Sequence, residues 1–250
     1  NKERLCWKGV SNMVKKKIKS TPKKKQAEAE SAALSNMWRN KAVADTYMPG
    51  SVFKMCVASA ALEENLVNEK TSFTCTGSIS VEGETIHCSN ISGHGTQNFV
   101  EAISNSCNPA FIQIGQMLGA GKFRQYYQGF GFSDKTGIDL PGEAEDSFWK
   151  EGKMGGVDLA VASFGQNFTI TPIQMITACA AVSNGGYVVQ PHVVSKITDS
   201  KGNVIKTVDK KIKRQVISDD TSKKMNEYLE YNTERQGAAA RSTPPILPSF

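Results

Sequence analysis

The distribution of apolar residues along the chain predicts a mixture of helices and antiparallel hairpins. A nearly uncharged apolar run predicts a buried central helix over residues 51–66. Alternating residues around turn-forming sequences predict hairpins at 71–88 and 188–207. Further helices are predicted where apolar residues recur at helical spacing: 31–41, 109–118, 122–130, 171–184 and 219–231. This order of elements predicts an α+β fold.

Lys54 is the only charged residue between Ser51 and Leu62. Because burial of an unpaired ammonium is unfavourable, a lysine there is expected to be paired or to lose its proton. Ser51 lies three residues earlier, and side chains three apart share one face of a helix. The spacing therefore predicts a hydroxyl beside a desolvated amine, as an activated serine nucleophile requires. Alternatively, Ser51 only caps a buried helix and Lys54 reaches the surface.

Several other motifs give this Ser-x-x-Lys pair a context. Ser106-Cys107-Asn108 is a downstream Ser-x-Asn triplet. The flanking segments are Trp38-Arg39-Asn40, Asp45-Thr46-Tyr47, Pro49-Gly50-Ser51-Val52-Phe53-Lys54, Phe130-Gly131-Phe132, residues 135–143 and Ala162-Ser163-Phe164-Gly165-Gln166. With these motifs, the chain resembles the class B penicillin-binding proteins, which are penicillin-recognising serine enzymes. The resemblance runs from about residue 37 to about residue 231.

The resemblance implies a helical lobe packed on an antiparallel sheet, with the active-site cleft between them. Ser51 is expected to be the acylated nucleophile and Lys54 the general base. Ser106 is expected to relay a proton to the leaving group, and Asn108 to bind the substrate amide and hold Lys54. The implied substrates are peptidoglycan stem peptides, with β-lactams trapping Ser51, and no cofactor is expected.

The third motif of the family is a Lys-Thr/Ser-Gly triplet on a strand that edges the active site. Lys135-Thr136-Gly137 has these residues, but it follows Asn108 closely and precedes the turn-forming Pro141-Gly142. We expect it to lie outside the cleft. Residues 232–250 contain three closely spaced prolines and no such triplet. The sequence therefore predicts missing C-terminal strands and weak or absent transpeptidase activity; a β-lactam or muropeptide sensor and an inactive remnant are the alternatives.

The predicted organisation is a lysine-rich arm or loop at 1–30, a partial transpeptidase domain at 31–231 and a divergent proline-rich tail at 232–250. Seven lysines lie between Lys15 and Lys25, and the net charge is +6. No aromatic residue is interleaved with them, which favours a solvated arm over a nucleic-acid site. No signal peptide or apolar run of about 18 residues is visible. Full-length family members are membrane-anchored, face the extracytoplasmic side and act with cell-wall synthesis partners.

The six cysteines lack Cys-x-x-Cys or zinc-finger spacing. Cys56 and Cys179 lie in apolar helical runs and are predicted to be core residues. Cys75 and Cys88 flank the first predicted hairpin, and the extracytoplasmic setting that the resemblance implies would permit a disulfide between them. His87, Cys88 and His94 are interpreted as a polar loop and not as a metal site, because no further ligands converge on them at suitable spacing. Cys107, in the variable middle position of its triplet, receives no role.

Overall fold

The computed structural model describes residues 23–144 and 147–234. Within them, the helices are α1 Lys23–Trp38, α2 Lys41–Ala44, α3 Lys54–Glu63, α4 Phe99–Ser104, α5 Asn108–Gly129, α6 Gly156–Ala162, α7 Pro172–Ser183 and α8 Asp219–Glu234. The strands are β1 Ser72–Cys75, β2 Ser78–Val81, β3 Glu84–His87, β4 Gly95–Asn98, β5 Tyr187–Val189, β6 Lys196–Thr198, β7 Val204–Thr207 and β8 Ile212–Gln215. The predicted α+β class is confirmed.

The strands of the described residues form four antiparallel pairs: β1 with β4, β2 with β3, β5 with β8, and β6 with β7. The expected helical lobe is therefore accompanied by short two-stranded ribbons in this part of the chain, and not by one continuous sheet. Residues 235–250 lie outside the described part of the chain. The absence of the C-terminal strands therefore stays a prediction.

Helix α3 is the predicted central helix, and it begins as a 3-10 turn over Gly50–Phe53. Its residues from Cys56 to Leu62 are all buried, and it packs against α5, α7 and α8. Phe53 anchors the 3-10 turn, because its ring lies 5.3 Å from that of Phe132 and 4.9 Å from that of Phe168. Aromatic packing around Phe53 therefore fixes the start of the helix, where Ser51 lies.

Local sequence signals correctly predict where α7 begins. Thr171 caps α7 by accepting a hydrogen bond from the Gln174 main-chain N–H, as its position before Pro172 predicts.

Two other helices differ from the prediction. The two predicted helices at 109–118 and 122–130 form one element, α5, which is kinked at Gly119 with φ of 70°. Helix α1 begins at Lys23, inside the segment predicted as an arm.

The two predicted hairpins are shorter than expected, since their outer strands pair elsewhere. Only residues 78–87 form the first hairpin, whereas β1 pairs with β4. The chain turns away at Gly77, where φ is +97° and an added Cβ would lie 2.0 Å from the Ile91 main-chain oxygen. Likewise, β6 and β7 form the second hairpin, whereas β5 pairs with β8.

No helix in the described part of the chain has the length and apolar character needed to cross a bilayer.

Candidate active site

Ser51 lines a cavity of about 460 Å³ and lies in the 3-10 turn that starts α3. The residue is exposed, whereas Lys54, one helical turn later, is only 5 % exposed. The described part of the lining is Ser51, Val52, Lys54, Met55, Ile103, Ser106, Phe111, Leu229, Asn232 and Thr233. The cavity therefore brings together three of the four predicted site residues on a largely apolar wall.

Lys54 Nζ makes three hydrogen bonds inside this site. It donates to the main-chain oxygen of Ser106 at 2.6 Å, to the Ser106 hydroxyl at 3.0 Å and to Asn108 Oδ1 at 2.7 Å. It also lies 5.4 Å from the centre of the Phe111 ring. An ammonium has three N–H donors, so these acceptors satisfy the buried lysine and connect it to the Ser-x-Asn triplet.

Burial lowers the pKa of Lys54 to about 8, although the nearby Cys107 and Cys88 thiols act to raise it. Desolvation disfavours the charged form. The neutral amine has two N–H donors and one lone pair, so it can donate to the Ser106 main-chain oxygen and Asn108 Oδ1 and accept from the Ser106 hydroxyl. An appreciable fraction of Lys54 is therefore an unprotonated amine near neutral pH. Such an amine accepts a proton, as a general base must.

Ser106 has a left-handed main chain, with φ of 50°. This conformation is uncommon for a residue with a Cβ, and strained main-chain geometry of this kind costs about 1–3 kcal/mol. Here it directs both the carbonyl and the hydroxyl of Ser106 to Lys54. Asn108, the first residue of α5, donates from Nδ2 to the His87 main-chain oxygen at 3.2 Å, which fixes its amide.

Gly165 supports the nucleophile turn, a role that sequence reasoning did not assign to it. The Gly50 N–H donates to the Gly165 oxygen at 2.8 Å. Gly165 has φ of +82°, and an added Cβ would lie 2.0 Å from the Gly50 oxygen. The segment that follows α6 therefore packs main chain against main chain behind Ser51.

The triplet Lys135-Thr136-Gly137 forms a turn closed by Glu143. The Glu143 carboxylate accepts from the Thr136 main-chain N–H and hydroxyl, and from the Gly137 N–H at 3.1 Å. The Lys135 carbonyl accepts from Lys213 Nζ at 3.0 Å. None of the three triplet residues is part of the described lining of the Ser51 cavity.

All five cysteines in the described part of the chain are free: Cys56, Cys75, Cys88, Cys107 and Cys179. Cys56 is buried in α3, as predicted, and Cys179 is half-buried. The ligand atoms of Cys75, Cys88, His94 and Cys107 lie within 4.8 Å of one another. We expected no further ligands to converge on this loop, but the fold brings Cys75 and Cys107 to Cys88 and His94.

The family model described as the penicillin-binding protein transpeptidase domain matches residues 9–247. Stage V sporulation protein D of Bacillus subtilis is 39% identical over 217 residues, which are 85% of this chain and 33% of that protein. The peptidoglycan D,D-transpeptidase MrdA of Acinetobacter baumannii is 35% identical over 167 residues, which are 62% of this chain and 25% of that protein. The chain thus spans a third or less of the length of these two curated relatives.

Solved structures show the same fold. The D,D-transpeptidase domain of a peptidoglycan glycosyltransferase from Eggerthella lenta matches with a TM-score of 0.77 and 22% identity, over 88% of this chain and 57% of that one. Penicillin-binding protein 3 from Mycobacterium tuberculosis, in complex with aztreonam, matches with a TM-score of 0.73 and 25% identity, over 82% of this chain and 47% of that one.

Proposed function

Because this chain belongs to the penicillin-binding protein transpeptidase family, we propose that it forms an acyl-enzyme through Ser51. The Ser51 hydroxyl attacks the carbonyl of the penultimate D-Ala in a peptidoglycan stem peptide, and the terminal D-Ala leaves as a free amine. An amine of a second stem peptide then attacks the ester. This second step forms the crosslink and regenerates the hydroxyl.

The observation that carries the proposal is the hydrogen bonding of Lys54 in the cavity that Ser51 lines. Neutral Lys54 removes the Ser51 proton as the C–O bond forms. The Ser106 hydroxyl, 3.0 Å from Lys54 Nζ, passes that proton to the departing amine. Asn108 holds the lysine through Oδ1 and presents its amide to the substrate.

Helix α3 gives further support to Ser51 as the reacting residue. The serine lies in the turn before the first residue of a buried ten-residue helix. The positive end of the helix dipole favours the negative charge that develops as the tetrahedral intermediate forms. The alternative, in which Ser51 is only a cap, has no support, since this helix start has no side-chain cap hydrogen bond.

The substrate carboxylate requires a cation, and the described part of the cavity lining offers none for it. Lys54 is the only charged residue in the described part of the lining, and its donors are already used. Residues 232–250 contain no Lys-Thr/Ser-Gly triplet. We therefore expect this chain to acylate slowly and to crosslink weakly. A sensor that is acylated by β-lactams without crosslinking is the second candidate that this lining favours.

For the whole protein, we propose action on the extracytoplasmic face of the bacterial cytoplasmic membrane, with peptidoglycan stem peptides and β-lactams as ligands. The support is the family assignment, together with two similar proteins: MrdA, named a peptidoglycan D,D-transpeptidase, and the penicillin-binding protein 3 solved with aztreonam.

Two assays on the same preparation test this proposal. Fluorescent penicillin should label the chain covalently, and Ser51→Ala should abolish the label. Synthetic stem peptides with an acceptor amine should give little crosslinked product. Labelling without any product favours the sensor, while a folded chain that is never labelled contradicts both candidates.

A further inference from the structure

Three cysteines and one histidine form a cluster beside the Ser-x-Asn turn. The sulfurs of Cys75, Cys88 and Cys107 and a ring nitrogen of His94 lie within 4.8 Å of one another. The distance from Cys88 Sγ to His94 Nδ1 is 3.6 Å. Tetrahedral zinc, with sulfur at about 2.3 Å and nitrogen at about 2.0 Å, places such a pair about 3.6 Å apart. From this geometry we propose that the chain binds one Zn²⁺ ion through these four side chains.

Each of the four ligands comes from a different place in the fold. Cys75 ends β1, Cys88 directly follows β3, His94 directly precedes β4, and Cys107 is the N-cap of α5. The register of β1 and β4 pairs Cys75 with Gly95, which brings its neighbour His94 beside the cysteines. Strand pairing therefore holds the ligands, which have no metal-binding spacing along the chain.

Two glycines allow the loops of the cluster to approach closely. An added Cβ at Gly93 would lie 2.4 Å from the Cys75 main-chain oxygen, and one at Gly77 would lie 2.0 Å from the Ile91 oxygen. Both glycines have positive φ, +80° and +97° respectively. The loop after β1 and the loop before β4 thus pack main chain against main chain, which brings His94 and the thiols together.

Main-chain N–H groups are directed at two of the three sulfurs. The N–H groups of Asn90 and Asn108 are directed at the Cys88 sulfur, and that of Ala110 is directed at the Cys107 sulfur. Donors to the ligand atoms orient a metal site and stabilise its thiolates. This cluster has such donors on two of its three sulfurs.

Gln97 supplies an additional unpaired donor. Its Oε1 accepts from Asn105 Nδ2 at 3.0 Å, which leaves Nε2 on the side of Cys107. Gln97 is only 3 % exposed, and among the described residues its buried Nε2 makes no hydrogen bond of ordinary geometry, although it faces the Cys107 sulfur. A zinc-bound thiolate is a better acceptor for this N–H than a neutral thiol is, so a bound metal accounts for the orphaned group.

The site would be structural, since four protein ligands complete a tetrahedron and leave no position for substrate. Its consequence for the active site comes through Cys107, which stands between Ser106 and Asn108. Both of those neighbours accept hydrogen bonds from Lys54. Zinc would therefore act as a positioning element that holds the Ser-x-Asn turn in its left-handed conformation.

The test is metal analysis of the purified chain after incubation with Zn²⁺ and dialysis. We expect one zinc per chain in the wild type and in Cys179→Ser, whose cysteine lies outside the cluster. Cys75→Ser and His94→Ala should each lower zinc affinity by at least tenfold. A wild type that retains less than a tenth of an equivalent, or whose mass shows a disulfide among the cluster cysteines, overturns the proposal.

Co²⁺ in place of Zn²⁺ distinguishes ligation from a folding defect. The wild type should give the visible bands of tetrahedral cobalt with thiolate charge transfer. His94→Cys should keep binding and intensify the charge-transfer band, since a fourth thiolate replaces nitrogen. Metal removal should lower the thermal midpoint and speed hydrogen exchange at residues 106–108, with reversal by Zn²⁺ and not by Mg²⁺. A cobalt spectrum without thiolate bands contradicts the ligand set, even where the variants fail to fold.

Discussion

Lys54 Nζ lies 2.6 Å from the main-chain oxygen of Ser106 and 3.0 Å from its hydroxyl. One buried cation thus links α3 to the turn before α5, two elements that are distant in sequence. The left-handed φ of Ser106 makes this double contact possible. Because the same lysine lies one turn after Ser51, we propose that the contact provides a route for a proton between the Ser51 hydroxyl and the leaving group.

Replacement of the lysine tests its chemical role. Lys54→Met should slow acylation by penicillin about 10²–10⁴-fold, the usual contribution of a positioned general base. The unbranched apolar side chain should still pack in α3, so the far-ultraviolet circular dichroism should match that of the wild type. Stopped-flow or gel-based acylation kinetics measure the effect. An unchanged rate in the folded variant excludes Lys54 as the base.

The pH dependence of acylation follows from the lowered pKa of Lys54. Only the neutral amine accepts the Ser51 proton, so the rate should rise with pH and level off above about 8. The groups that bear on this titration are the Cys88 and Cys107 thiols, His94, and the hydrogen-bond acceptors on Ser106 and Asn108. Second-order acylation rates between pH 6 and pH 10 measure the curve.

Asn108→Asp provides the control for that profile. A carboxylate at the position of the Asn108 amide, 2.7 Å from Nζ, stabilises the ammonium and raises the pKa of Lys54. The rising limb should therefore move to higher pH. If the acylation rate of Asn108→Asp rises over the same pH range as that of the wild type, a group other than Lys54 controls the rate.

Gly165→Ala tests the support behind the nucleophile turn. The added Cβ meets the Gly50 oxygen, so the main chain at Gly50 must shift, and we expect the adjacent Ser51 to move with it. Misplacement of a reacting group by about 1 Å slows reactions on the order of 10²-fold. The matched control is Gly142→Ala, since Gly142 has nearly the same φ, +83°, with nothing within 4 Å of its added Cβ. Equal acylation rates in the two variants would show that only main-chain strain matters.

Lys135→Ala should leave the rate of penicillin acylation within about twofold of the wild type. The Lys135 carbonyl accepts from Lys213, a main-chain contact that alanine retains, and the triplet turn is held by Glu143. Acylation kinetics beside those of Lys54→Met measure the difference. A loss comparable to that of Lys54→Met would place Lys135 in the cleft.

Local signals predicted several of the helices, because these signals depend on neighbours in sequence; the first helix, predicted at 31–41, instead spans Lys23–Trp38, and Gly156–Ala162 was not predicted. The Thr171 cap, the break near Gly119 and the buried start of α3 are examples. Ser51 and Lys54 could be proposed for the same reason, since i and i+3 positions meet on any helix.

Contacts set by strand pairing and loop packing could not be predicted in this way. The hairpin predicted over 71–88 would allow Cys75 to face Cys88 across neighbouring strands. Instead β1 pairs with β4, which places Cys75 next to His94 and gathers the cluster. The contact of Gly165 with Gly50 depends likewise on how α6 packs, which no spacing along the chain encodes.

The central claim is that Ser51 is the acylated residue of a Lys54-dependent site. Peptide mapping by mass spectrometry, after incubation with excess penicillin at pH 8, tests it most directly. We predict a single penicilloyl adduct on Ser51, its absence from Ser51→Ala, and a slower appearance in Lys54→Met. An adduct on any other residue, or one that persists in folded Ser51→Ala, would contradict the account.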